Sequence, residues 1–181
     1  LAAVPTGEKV LKMKRLLLIL AVAPLLAATP AQPSFRSEFL ANLDDVGTKL
    51  IDLAESVPAD KYTWRPASDV RSVSEVFTHV AGSNYFLLTF LGHAPPAELP
   101  VEIEKITNKQ RVIAELRKSL DYVRDAAELM KEEELEASVR MFGNNTTGRG
   151  VYTTVLNHLH EHLGQSIAYA RMNGVTPPWS R

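Results

Sequence analysis

The run from Gly150 to Met172 contains no proline, and Asn173-Gly174 followed by Pro177-Pro178 supplies a stop signal. It reads as a helix over about Val151 to Met172. At about 100° per residue, Val151, Val155, His158, His162, Gln165 and Tyr169 fall on one face. Leu156, Leu163 and Ile167 form a second apolar stripe near His160. A helix with apolar cover on two sides must sit within a bundle of other helices, or between a bundle and a partner subunit. This is the strongest constraint that the chain places on its own fold.

The rest of the chain supplies the other helices. Ser34 to Val57 carries Phe35, Phe39, Leu43, Val46, Leu50 and Leu53 at three- and four-residue steps, with Ser34 or Ser37 to cap it and Pro58 to end it. Ser72-Val-Ser-Glu75 is a capping box that opens a second helix running to about Leu91. Between them, Trp64 before Arg65-Pro66 is expected to plug one end of a bundle. Gly92-His93-Ala-Pro95-Pro96 breaks the second helix, and the segment to Ile106 reads as a loop with His93 solvated. Thr107-Asn-Lys-Gln110 reads as another capping box, opening a third helix through Val112, Leu116, Leu120, Val123, Ala127 and Met130. Lys131 to Glu136 reads as a solvated helix end, and Val139 to Gly150 as irregular chain. No internal repeat, phosphate-cradling loop or strand-like alternation stands out. The expected fold is all-α, a four-helix bundle of the up-and-down type.

The N-terminal residues belong to a different class. Met13-Lys14-Arg15 begins a charged region, Leu16 to Leu26 is apolar, and Ala27-Ala28-Thr29-Pro30-Ala31 is rich in small residues. This is the pattern of a secretory signal peptide, shorter than the ~20 apolar residues of a comfortable membrane span. The expectation is that residues 1–31 comprise upstream sequence and a signal, with Met13 as the start, and that 32–181 form the bundle domain. The protein would then be exported, to a periplasm or the extracellular space, with membrane contact only through an uncleaved signal segment. Lys9, Lys12, Lys14 and Arg15 leave with that segment against one acid, Glu8, which takes the formal charge from −1 to about −4. No basic stripe remains, so nucleic acid is not an expected partner. The chain has no cysteine, which excludes disulfides, thiolate metal sites and a cysteine nucleophile.

The chemistry lies in the histidines. His158, His160 and His162 lie within five residues of one another in a chain of five histidines. His158 and His162 are about 40° apart on the helical wheel, whereas His160 points away. On the second helix, His79 falls with Val76, Val80, Ser83, Leu87 and Phe90, so it also faces inward. Taken alone, it reads as a buried neutral histidine with one hydrogen-bond partner. Were the second and fourth helices neighbours, His79, His158 and His162 would converge. Three imidazoles suit Zn²⁺, Ni²⁺, Cu²⁺ or Fe²⁺ and leave a coordination position open, as catalytic sites do. Water bound there would be acidic enough to supply hydroxide near neutrality. Gln165, one turn from His162, would orient a ligand or a bound molecule. Glu161 reads as a surface residue, and Tyr169 either donates into the cavity or packs in the core.

These residues resemble the DinB/YfiT-like family. Trp64-Arg65-Pro66 followed by Arg71-Ser72-Val73 is similar to that family's approach to its second helix. His79, together with His158-x-x-x-His162-x-Gly164-Gln165, is similar to its ligand pattern. The likeness runs from about Ser34 to Ser180. It implies a four-helix bundle, a divalent metal (Zn, Ni, Fe or Mn) on His79, His158 and His162, and a homodimer. It gives His160 no ligand role. Some relatives are thiol-dependent transferases or isomerases, whose thiol cosubstrates belong to the cytoplasm. Three functions compete on this reading. The first is a metal-dependent hydrolase or transferase acting on a small molecule. The second is a non-catalytic metal- or ligand-binding bundle. The third is a structural bundle whose histidines satisfy each other.

Overall fold

The structure, a computed structural model, describes residues 2 and 32–180; the expected signal segment lies outside the described residues. The elements in chain order are helices α1 (Phe35–Ser56), α2 (Val73–Thr89), α3 (Lys109–Leu129) and α4 (Glu132–Glu136), strands β1 (Ser138–Met141) and β2 (Asn144–Thr147), and helix α5 (Gly148–Met172). The four long helices are the four segments with apolar residues at three- and four-residue spacing. Each contributes to the core: Leu50 of α1, Val80 of α2, Leu116 of α3 and Leu159 of α5 are all 0% exposed. Burial of a side chain of this size contributes about 1.5–3 kcal/mol, so the shared core, rather than helix propensity, holds the bundle together.

The helix starts are set by local chemistry. Ser34 accepts a hydrogen bond from the Ser37 backbone N–H at 3.2 Å. Ser72 and Glu75 form a reciprocal box, with the Ser72 N–H donating to Glu75 Oε2 at 2.7 Å and the Glu75 N–H to Ser72 Oγ at 3.4 Å. The third helix is capped one residue later than its sequence pattern suggests. Asn108, not Thr107, is the N-cap, its Oδ1 accepting from the Arg111 N–H at 3.1 Å. An Asn carbonyl at that position satisfies one of the free N–H groups of the first turn.

Around the bundle the packing order is α1, α3, α2, α5. The helix directions follow from side-chain pairs. Lys109 at the start of α3 donates to the carbonyls of Glu55 and Val57 at the end of α1, and Arg124 pairs with Asp44, so α1 and α3 are antiparallel. Phe39 meets Tyr152 near the starts of α1 and α5, and Val57 lies with Ala170 near their ends, so these two are parallel. Val73 and Phe77 lie beside Tyr169 and Ala170, so α2 runs against α5. The four helices therefore run up, down, down, up. The neighbours α2 and α3 are parallel, and parallel neighbours cannot be joined by a tight turn. The chain between Thr89 and Lys109 must travel back along the bundle, and it includes a 3₁₀ turn at Ile103–Lys105.

Two local readings are corrected. The acidic run Lys131–Glu136 is a separate short helix rather than a solvated helix end. Its acids are exposed, but Leu135 is 0% exposed. The stretch after it is a β-hairpin rather than irregular chain. β1 and β2 pair antiparallel, with Met141 opposite Asn144. The two-residue loop Phe142-Gly143 has positive φ at both positions, 50° and 82°. That is the hairpin turn whose twist matches the strands, and it favours glycine. The hairpin delivers the chain to Gly148, which starts α5 against the backbone of α4. A Cβ on Gly148 would lie 2.1 Å from the Glu134 carbonyl oxygen. Gly148→Ala must therefore displace α4 or the start of α5. A loss of about 1–3 kcal/mol is expected for overpacking of this kind, to be read by urea denaturation. An unchanged midpoint would contradict the close approach.

Candidate metal centre

His79 comes from the middle of α2, and His158 and His162 from successive turns of α5. Because α2 and α5 are antiparallel neighbours, the three rings meet at mid-bundle. One ligand atom from each lies within 4.8 Å of the others. Ring centroids are 5.1 Å apart for His79 and His158, 4.9 Å for His79 and His162, and 4.4 Å for His158 and His162. His79 Nε2 and His158 Nε2 are 3.2 Å apart. A tetrahedral ion with bonds of about 2.0–2.1 Å requires nitrogens about 3.3–3.4 Å apart, so this pair is already close to ligand spacing. The trio fits a divalent ion in donor type, number and separation.

The outer ring nitrogens are held in different ways. His162, only 8% exposed, has Nδ1 at 2.8 Å from Gln165 Oε1. Gln165 Nε2 in turn donates to the Tyr169 hydroxyl at 3.1 Å, and Tyr169 packs edge-on against Trp64 at 5.5 Å. Gln165 thus links the His162 ring to Tyr169, and the tryptophan before α2 packs behind that tyrosine. Tyr169 is buried in the core and holds Gln165. His79 Nδ1 lies 2.8 Å from Glu104 Oε1, while Glu104 Oε2 accepts from Arg71 Nε at 3.3 Å. Among the described residues, His158 Nδ1 is buried without a partner.

His160 points away, as its wheel position requires, with Nδ1 2.8 Å from the Leu156 carbonyl oxygen. Glu161 is exposed. His93 lies apart from the trio, half-buried rather than solvated, lining a small cavity with Phe90 and Tyr152. The second stripe of α5 is covered within the chain: Leu163 is buried, and Leu156 and Ile167 pack against the core.

The electrostatics favour uncharged rings on α5. Burial pulls the His158 imidazole down to about 4, with further lowering from His162, His79 and Arg71. Burial also lowers His162, against the opposing effect of its bond to Gln165. For Glu104, burial works to raise the carboxyl, but the hydrogen bonds from His79 and Arg71 prevail and hold it below the usual carboxylate range. The pH dependence of the metal-free protein follows. An unfolded His158 titrates near 6.5 and the folded one near 4. Between those values the unfolded state binds more protons, so stability falls as pH drops from about 6.5 toward 4. Melting in a chelator should show this decline, and it should be shallower for His158→Gln.

Glu104 and Arg71 are the parts of the site that reasoning from sequence did not assign. Arg71 stood only within the resemblance, and Glu104 in a connection without periodicity. Beside the trio an open depression of about 570 Å³ is lined by Arg65, Arg71, Glu104 and Gln165 among others. Both polar side chains that hold the α5 and α2 rings from outside thus also face a space large enough for a small polar molecule.

Residues 42–166 match the model of the DinB superfamily, and the chain belongs to that family. An uncharacterised Bacillus subtilis protein, YjoA, is 25% identical over 137 residues, which is 69% of this chain and 82% of that protein. Among solved structures, a DinB-like protein from Bacillus cereus superposes with a TM-score of 0.67 at 17% identity, covering 77% of this chain and 93% of that one. The structure of YjoA gives 0.64 at 22% identity, with 77% and 94% covered. A conserved protein from Enterococcus faecalis gives 0.65 at 17% identity, with 77% and 97% covered. These structures establish the shared bundle.

Proposed function

We propose that this is an exported protein that binds a divalent metal through His79, His158 and His162 and uses it on a small polar molecule, as a hydrolase or transferase. The observation that carries the reading is the convergence of three imidazole ligand atoms within 4.8 Å, from two rigid helices. When bound, the ion supplies a Lewis acid with an open position, able to activate water or a thiol toward a small electrophile. The chain's own residues supply the remainder. Gln165 holds the His162 ring, and the depression beside it, walled by Arg71 paired to Glu104 and by Arg65 paired to Glu75, offers a polar space for the molecule. Export is supported by the charged, apolar and small-residue pattern of Met13 to Ala31. Among the described residues, no helix is long and apolar enough to cross a membrane. A homodimer is part of the proposal on family resemblance alone.

Elemental analysis tests the core of this reading. Protein purified without a histidine tag should carry about one equivalent of metal, as a single three-ligand site requires, and the His158→Ala/His162→Ala variant none. Absence of metal from both, with no uptake of added Zn²⁺ or Ni²⁺, would sink the metalloprotein reading. Metal without turnover of hydrolytic or thiol-transfer substrates would favour a non-catalytic binding bundle.

A further inference from the structure

Among the described residues, the three histidines differ in what stands behind them: a carboxylate for His79, an amide for His162, no hydrogen-bond partner for His158. The difference settles where the protons are. Ionised Glu104 can only accept a hydrogen bond. His79 therefore carries its ring proton on Nδ1, directed at Glu104 Oε1 2.8 Å away. With one proton per ring, Nε2 of His79 is then a bare lone pair facing inward. Nε2 of His158 lies 3.2 Å from it. Two lone pairs at that distance repel, so His158 must hold its proton on Nε2 and donate. Its Nδ1 is left as an unprotonated acceptor without a partner. Buried acceptors without partners are better tolerated than buried N–H groups without partners, so the arrangement is self-consistent. Reversing the His79 tautomer would leave two N–H or carboxylate groups unpaired and break the chain at Glu104.

We propose that Glu104 is a positioning residue that sets the tautomers of both His79 and His158, so that before any ion arrives His79 holds an unprotonated Nε2 that accepts from His158 Nε2–H; binding an ion through both Nε2 atoms then requires the His158 proton to leave that nitrogen. Glu104 is itself held from the other side by Arg71 Nε at 3.3 Å, which fixes the plane of the carboxylate. The metal reading above gives the lone pair its use, and the inference rests on it to that extent. The tautomers themselves do not depend on metal.

The test is long-range imidazole nitrogen NMR of the metal-free full chain, at about pH 8, where histidine is ordinarily uncharged. The wild type should show His79 protonated on Nδ1 and His158 on Nε2. Glu104→Ala should lose this fixed assignment at both rings. Glu104→Gln, whose one amide oxygen must serve either His79 or Arg71, should keep the assignment only in part; a merely structural role would leave both rings as in the wild type. Zn²⁺ affinity should fall about 10–100-fold in Glu104→Ala, and less in Glu104→Gln. His79 protonated on Nε2 in the wild type, or assignments unchanged in a folded Glu104→Ala, would overturn the proposal while leaving the metal reading intact. The expected tautomers in a wild type that takes up no Zn²⁺ would support it and remove the metal reading instead.

Discussion

Removal of metal with a chelator is expected to lower the melting temperature of the protein by roughly 5–10 °C. A ligand that binds only the folded state stabilises it by about 2.7 kcal/mol when present at a hundred times its dissociation constant. For a domain of this size each kcal/mol corresponds to roughly 2–4 °C. The three ligands come from α2 and α5, and an unfolded chain cannot hold them together, so binding free energy becomes folding free energy. The shift should be abolished in His158→Ala/His162→Ala, whose melting temperature should ignore both chelator and added Zn²⁺. A melting curve of the metal-loaded wild type that does not respond to chelator would contradict a site made from two separate helices.

The second large effect is expected at Leu135→Ala. Leu135 is fully buried in a run that otherwise consists of exposed acids and a lysine. Its truncation should cost about 2–5 kcal/mol, the range for leucine replaced by alanine in a packed interior. The exposed neighbour Glu133→Ala should stay within about 0.5 kcal/mol of wild type. Paired urea titrations distinguish the two. Equal small effects would mean that α4 is a solvated extension after all. A large effect at Leu135 alone would establish that this one side chain anchors the passage from α3 to the hairpin.

That contrast also explains what the sequence made legible. α1, α2, α3 and α5 were readable because each is long enough for apolar residues to recur several times on one face. Ser34 and Ser72 were readable as caps because their chemistry is local. The convergence of His79 with His158 and His162 was readable because each faced inward on its own helix, and it needed only those helices to be neighbours. The parts that escaped have different causes. Leu135 is a single apolar residue in a five-residue helix, too short to show a period. The hairpin has four-residue strands, and its signal lies chiefly in two positive φ angles at Phe142 and Gly143, of which only the glycine is conspicuous. Glu104 meets His79 across 25 positions of chain. Nothing periodic marks it, because its place depends on how the connection between two parallel helices runs.

That returning connection has a consequence for how such a site can diversify. The three ligand positions sit on helices that also build the core, so their spacing changes only with the packing of the bundle. The carboxylate behind His79 rides instead on a surface crossover, a kind of segment that tolerates insertion, deletion and exchange. A change of a residue or two between Gly92 and Asn108 could withdraw Glu104, or offer another side chain in its place, while all three imidazoles and their helices stayed where they are. The bundle thereby separates the scaffold that gathers the ligands from the segment that tunes them, and the reactivity of the centre can drift independently of the stability of the protein.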